Sequence, residues 1–242
     1  MKLKGIFEKK PQKHDPKPEA KADLRVDPKS DNEARCKIKN VATCLFARFG
    51  LEGTSTREIA KETGLNLSLI SYYFGGKEGL YKTLFVEFAT EAHKEIEALL
   101  KTNLAAEETT STANFSREQF FSQMKSIIQK MVRMQIENPD MMTLMQRETL
   151  EGLPHAREVW EEIFHSLGEK IVSVLSLAQD RKIIRSDLNL QFHFLSMIHS
   201  IDMIFIATRC RGPWEHKLFK IPDESDKIAQ QIFTVFIEGI AV

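Results

Sequence analysis

Between Thr56 and Lys77 the chain gathers side chains suited to one kind of chemistry, hydrogen bonding to a polyanion and, beside it, to the edges of bases. Thr56, Arg57 and Lys77 can each reach a phosphate oxygen, as can the phenols of Tyr72 and Tyr73. Leu67, Ser68 and Ser71 offer something different. A serine hydroxyl bonds a base edge or a phosphate, and a leucine packs on a thymine methyl. No Arg or Gln lies between Asn66 and Phe74 to grip a base with two hydrogen bonds, so direct readout is thin and DNA shape carries much of any specificity. Singly, each of these residues also reads as a solvated surface side chain. Their grouping is what carries information.

Enzymatic chemistry finds no such grouping. The chain has no Gly-x-Ser-x-Gly, no phosphate-cradling glycine loop and no His-Glu-x-x-His, and no motif for a cofactor. Glu107-Glu108 and Glu161-Glu162 read as solvated charges rather than a catalytic pair. His165, His193, His199 and Asp202 raise the question of a metal. His199 and Asp202 stand three apart on one helical face, but a single pair is a weak ligand set, and polar groups of a core or interface explain it as well.

The elements that must position these residues read as helices. Ile38, Val41, Ala42, Leu45, Phe46 and Phe49 recur at helical spacing from Asp31 onward, and Gly50 suits the residue just past that helix. Ser55-Thr56-Arg57-Glu58 is a capping box that opens a short helix ending at Gly64. Asn66 caps a third helix over 67–74, with Leu69, Ile70 and Phe74 inward and Leu67, Ser68, Ser71 and Tyr72 outward. The spacing of Ala60, a small residue where two helices cross, Gly64 at the turn, and Ile59, Leu65 and Ile70 as flanking apolar residues is that of a helix-turn-helix. Lys77 then opens a long fourth helix to about Ala105, where backbone N–H groups also favour an anion. A second capping box, Ser116-Arg117-Glu118-Gln119, opens a helix to Glu137, and Pro139 opens the next. Further helices are expected over 154–179, 189–209 and 223–239. No long period-two run and no repeat is present, so the fold class is all-α.

Two runs carry a family resemblance. Gly53-Thr54-Ser55-Thr56-Arg57-Glu58-Ile59-Ala60-Lys61-Glu62-Thr63-Gly64-Leu65 and Tyr72-Tyr73-Phe74-Gly75-Gly76-Lys77-Glu78-Gly79-Leu80-Tyr81 resemble the N-terminal domain of TetR-family regulators, over about residues 35–82. Asn66 stands where the family commonly has Ser or Thr, Ser71 where it has Tyr, and Tyr73 where it has His. These departures fit a branch with an Asn-capped recognition helix and bear on which bases are read rather than on the fold. The resemblance implies three helices for DNA binding, a connecting fourth, and a divergent helical domain for effector and dimer contacts. It implies a repressor that a small-molecule effector releases from DNA, and a homodimer on a near-palindromic operator. The domains expected are a tail over 1–29, a DNA-binding domain over 30–76 and a regulatory and dimerisation domain over 77–242.

Within the regulatory half, Met134 and Met145 belong to a set of methionines that line a pocket or fill a core. Arg147 and Glu148 are charged residues in an apolar run and can orient a polar ligand group or pair with neighbouring helices. With His199 and Asp202 they make the candidate effector site. Phe192, Leu195, Ile198, Ile201, Ile204 and Phe205, then Ile228, Ile232, Val235, Phe236 and Ile240, give the last two helices wide apolar faces, read as the dimer interface by the resemblance.

Composition agrees with a folded protein of this kind. The 242 residues are 42% hydrophobic and 28% charged, with no net charge. The charge is divided: residues 1–82 hold 17 Lys and Arg against 11 Asp and Glu, the remainder 17 against 23. A basic end and an acidic body suit approach to phosphate from one side. The tail over 1–29, rich in Lys, Pro and Asp, is expected to be disordered, idle or a basic arm beside the main site. The odd set of three cysteines, Cys36, Cys44 and Cys210, fits free thiols in a reducing compartment. The N-terminus lacks an apolar signal core, and the stretch 192–208 is read as too short and polar to span a bilayer. A cytoplasmic protein is expected, either the regulator described or an architectural or protein-interaction helix-turn-helix without effector.

Overall fold

The computed structural model describes residues 28–104, 115–209 and 224–242. Most of the expected tail, residues 105–114 and Cys210 lie outside them. Helix α1 (Pro28–Phe49) takes in the last two residues of the expected tail. Proline suits the first helical turn, where its missing N–H costs no hydrogen bond. The stripe Ile38, Ala42 and Phe46 is fully buried, whereas Phe49 is 58% exposed. Arg147 covers the last turn of α1 from the side of Ala47 and Gly50, leaving Phe49 to face outward.

Local chemistry sets the short helices. Helix α2 (Thr56–Thr63) opens on the Ser55–Glu58 capping box and closes on Gly64, at φ 65°. That left-handed conformation is open to glycine without the Cβ clash. Helix α3 (Ser68–Phe74) starts one residue later than expected; the Asn66 side chain still caps it, Oδ1 accepting from the Ser68 N–H at 2.9 Å. Helix α4 (Lys77–Leu104) follows after Gly75 and Gly76.

Helices α5 (Arg117–Glu137) and α6 (Pro139–Leu150) begin as expected, on the Ser116–Gln119 box and on Pro139. The next helix differs. It starts at Arg157, not Pro154, as α7 (Arg157–Val159), passes through a π-helical turn (Trp160–Phe164) and continues as α8 (His165–Asp180). The N–H groups of His155 and Ala156 donate to the Glu148 carboxylate instead, which holds 154–156 as a turn. Helices α9 (Leu190–Arg209) and α10 (Ser225–Phe236) complete the set, with a 3₁₀ turn (Glu238–Ile240). The C-terminus folds back, Ala241 bridging Ile184.

Two apolar cores share α4. One joins α1, α2, α3 and the first half of α4 around Phe46, Ile59, Ile70 and Leu80, and α6 and α7 add Met142, Leu144 and Val159 to it. The other joins Ile96 and Leu100, in the second half of α4, to α5, α8, α9 and α10 around Ile127, Ile171, Met197 and Ile232. Helix α4 is stapled along its length: Lys39 pairs with Glu87, Lys82 with Glu158, Lys130 with Glu95 at 2.6 Å and Lys170 with Glu97 at 2.5 Å. By length and composition alone, Leu190–Ala207 in α9 is apolar enough to cross a membrane, a test that core helices pass as well. Its inner face nevertheless packs in the core through Met197, Ile201 and Phe205.

Candidate nucleic-acid interface

The outward face of α3 is built from its caps inward. The Asn66 carboxamide accepts from both the N–H and the hydroxyl of Ser68. Gly75, at φ 73°, returns its N–H to the Ser71 carbonyl at 3.0 Å. Ile70 and Phe74 are buried and Leu69 is half-buried, so the helix can present only its other side. That side carries Leu67, Ser68, Ser71 and Tyr72, and Tyr72 is 73% exposed. A seven-residue helix pinned at both ends shows bases a fixed surface, which lowers the ordering cost of binding.

Helix α2 crosses behind it. Thr63 is buried, its hydroxyl donating to the Ile59 carbonyl at 2.8 Å, and Thr54 donates to the Gly50 carbonyl at 2.9 Å. The capping box at Ser55 holds the Glu58 carboxyl below its ordinary range, chiefly through the N–H and hydroxyl of Ser55. Thr56 is half-buried at the start of α2, and Arg57 is exposed beside it. The Lys77 ammonium donates to the Leu51 carbonyl at 2.9 Å. It closes one wall of a concavity of about 360 Å³ lined by Glu52, Gly53, Thr54, Ser55, Thr56 and Glu58.

Tyr73 lies differently from Tyr72. Its hydroxyl donates to the Asp31 carboxylate on α1, and its ring sits 5.8 Å from the Arg35 guanidinium. The hydrogen bond to Asp31, with partial burial, pushes the phenol up to about 12. The expected DNA-facing set thus lies on one unit, but Tyr73 reaches into that unit, not out of it.

The six residues expected around an effector are not brought together. Met134 is buried in the core of α5, α8, α9 and α10, and Asp202 accepts from the Gln135 side chain at 2.6 Å. His199 is exposed. Met145, Arg147 and Glu148 lie instead on α6, where it packs against the DNA-binding unit. No group of three His, Cys, Asp or Glu able to hold a metal occurs among the described residues. Sequence reasoning missed the contact between Tyr81 and Glu148; the one available signal was a charged pair inside an otherwise apolar run.

Two helices crossing at a glycine turn, the second presenting a rigid polar face, define a helix-turn-helix DNA-binding protein carrying a larger helical body. Comparison with known proteins agrees. Residues 38–84 match the model of the bacterial regulatory proteins, tetR family. The chain is 29% identical over 169 residues to the probable HTH-type transcriptional regulator YttP of Bacillus subtilis (strain 168), covering 69% of this chain and 74% of that one. It is 43% identical over 49 residues to the HTH-type transcriptional dual regulator CecR of Shigella flexneri, 20% of this chain and 22% of that one. A putative fatty acid metabolism regulator of Clostridium perfringens has the same fold, with a TM-score of 0.64 at 17% identity over 85% of this chain and 99% of the other. Residues 38–84 are thus a DNA-binding domain of the TetR type, and the chain as a whole is similar to regulators that carry one. It is a DNA-binding regulator and not an enzyme.

Proposed function

We propose that this protein is a cytoplasmic, homodimeric repressor that a small-molecule effector releases from a near-palindromic operator. The observation that carries the reading is the outward face of α3, where Leu67, Ser68, Ser71 and Tyr72 are exposed on a helix capped at both ends. Arg57 and Lys77 contact phosphate, with Thr56 at the start of α2, and Asn66 and Tyr73 fix the helix that does the reading. Residues 30–76 are the DNA-binding unit, and 77–242 the regulatory and dimerising body. The effector enters that body between α4, α5, α8 and α9, near Met134 and Asp202. An apolar effector is favoured by the methionines of that core, Met124, Met134 and Met197, and relatives of this fold are named for fatty acid and ketosteroid regulation. A roughly 100-fold release requires about 2.7 kcal/mol of coupling between the two sites.

The test is fluorescence anisotropy of the purified protein with DNA from upstream of its own gene and with scrambled DNA, across a salt series. A preference of about 10³-fold or more, at two chains per site, supports the reading. Equal and steeply salt-dependent binding to both favours an architectural protein. Failure to bind either DNA at low salt overturns it.

A further inference from the structure

We infer that Glu148 is the positioning residue through which the helical body sets the attitude of the DNA-binding unit; this rests on the DNA-binding reading above. Glu148 is 1% exposed. Its Oε1 accepts from the Tyr81 hydroxyl at 2.8 Å and lies 3.1 Å from His155 Nδ1. Its Oε2 accepts from the backbone N–H groups of His155, at 3.1 Å, and Ala156, at 3.2 Å. Burial alone would raise this carboxyl, but the donors from His155, Tyr81 and Ala156 together hold it below its ordinary range.

One carboxylate therefore joins three elements. Through Tyr81 it holds α4, and the Tyr81 ring lies edge-on to Phe46 of α1, with centroids 5.1 Å apart. Through two backbone groups it holds the turn that leads into α7. The neighbouring Arg147 leans the other way, its guanidinium beside Gly50 and 3.5 Å from the Ala47 carbonyl at the end of α1. Adjacent side chains of α6 thus grip α1 and α4, the two helices that frame α2 and α3.

Simple stability is a poor explanation for such a group. A buried ion rarely stabilises as well as apolar side chains of equal volume, and losing one of its partners is costly. What a carboxylate adds is direction. It only accepts, so the donors around it have one satisfactory arrangement, and a movement of α7 against α4 must break part of it. An effector in the body that displaces α7 or α8 is then read at Tyr81.

Two variants of the full-length protein test this, Tyr81→Phe, which keeps the ring packing and removes only the hydroxyl, and Glu148→Gln. The probe is the duplex that wild-type protein selects from a random 30-base-pair library, alongside a scrambled duplex, at a temperature where circular dichroism shows each variant folded. Positioning predicts scrambled-duplex binding within about two-fold of wild type and selected-duplex affinity shifted about ten-fold or more. It also predicts that the double variant behaves like either single one, since both break the same link. A purely structural role lowers the melting temperature and leaves selected-duplex affinity at the wild-type value, which overturns the inference. Should Glu148→Gln fail to fold, Tyr81→Phe alone decides. A selection that returns no preferred duplex overturns the DNA-binding reading itself, and the inference with it.

Discussion

The hydroxyl of Tyr73, in the last turn of α3, donates to the carboxylate of Asp31, in the first turn of α1. The neighbouring Tyr72 presents its ring to solvent, edge-on to Tyr73 with centroids 5.1 Å apart. Adjacent phenols therefore divide the work, one fixing the recognition helix and the other available to a phosphate. Tyr73→Phe is expected to lower stability by about 1 kcal/mol, the value of one such hydrogen bond. Tyr72→Phe is expected to leave stability unchanged and weaken DNA binding about three- to ten-fold. Thermal unfolding and anisotropy on the two variants check this, and a larger affinity loss for Tyr73→Phe would reverse the assignment. The sign with pH follows from the raised phenol. The Asp31–Tyr73 contribution is complete below pH 10, the ordinary phenol value, and is lost as pH rises toward about 12.

Gly64 gives a prediction about the backbone alone. Its φ is 65°, yet a Cβ there would meet nothing within 4 Å, so space is not the constraint. Gly64→Ala should cost about 1–2 kcal/mol through the left-handed conformation itself. Gly64→Asn should cost less, because asparagine enters that region more readily. Chemical denaturation of the two variants distinguishes the causes; equal losses would point to a steric origin.

Features fixed within four residues were legible in the sequence. The Ser55 and Ser116 boxes, Gly50, Gly64 and Pro139 each act on their own turn, and all five stand where local chemistry puts them. The outward face of α3 was legible for the same reason. Glu148 was not, because its meaning depends on Tyr81, 67 residues away, and on two N–H groups in a turn. The delayed start at Arg157 has the same origin: helical signals begin at Pro154, and a tertiary acceptor overrides them. The placing of α6 against α1 rests on a fit between Arg147 and Gly50 that no periodicity encodes.

Acid should loosen the body at an identifiable staple. Glu97 on α4 accepts from Lys170 of α8 at 2.5 Å and lies 3.3 Å from Lys101, and these two ammonium groups hold its carboxyl at about 2. A carboxylate depressed in the folded state contributes stability above its unfolded value of 4.5 and loses it as pH falls toward 2. The melting temperature of wild type should therefore exceed that of Glu97→Gln at neutral pH, with the gap narrowing below pH 4.5 and in high salt. A gap of constant size down to about pH 3 would assign the difference to packing instead.

Helix α9 leaves one apolar face uncovered. Phe192, Leu195 and Met203 are 71%, 53% and 59% exposed, and with His199 they line one side of the helix at spacings of three, four and four. Val235 on α10 is 62% exposed. The opposite side of α9 is already committed to the core through Met197, Ile201 and Phe205. Three large apolar side chains in one stripe are costly to leave in water, and a two-fold partner presenting the same stripe covers them with its own. A charge at the centre of that stripe must be desolvated for the dimer to form, which costs several kcal/mol without an opposite charge to meet it. Leu195→Glu should thus give a folded monomer by sedimentation equilibrium, since position 195 faces outward and the core is untouched. The same variant should lose operator affinity by about 10²-fold or more, because the second half-site is no longer presented at high effective concentration. Affinity for a single half-site should stay at the wild-type level. A Leu195→Glu protein that remains dimeric and binds the full operator normally would move the interface away from α9.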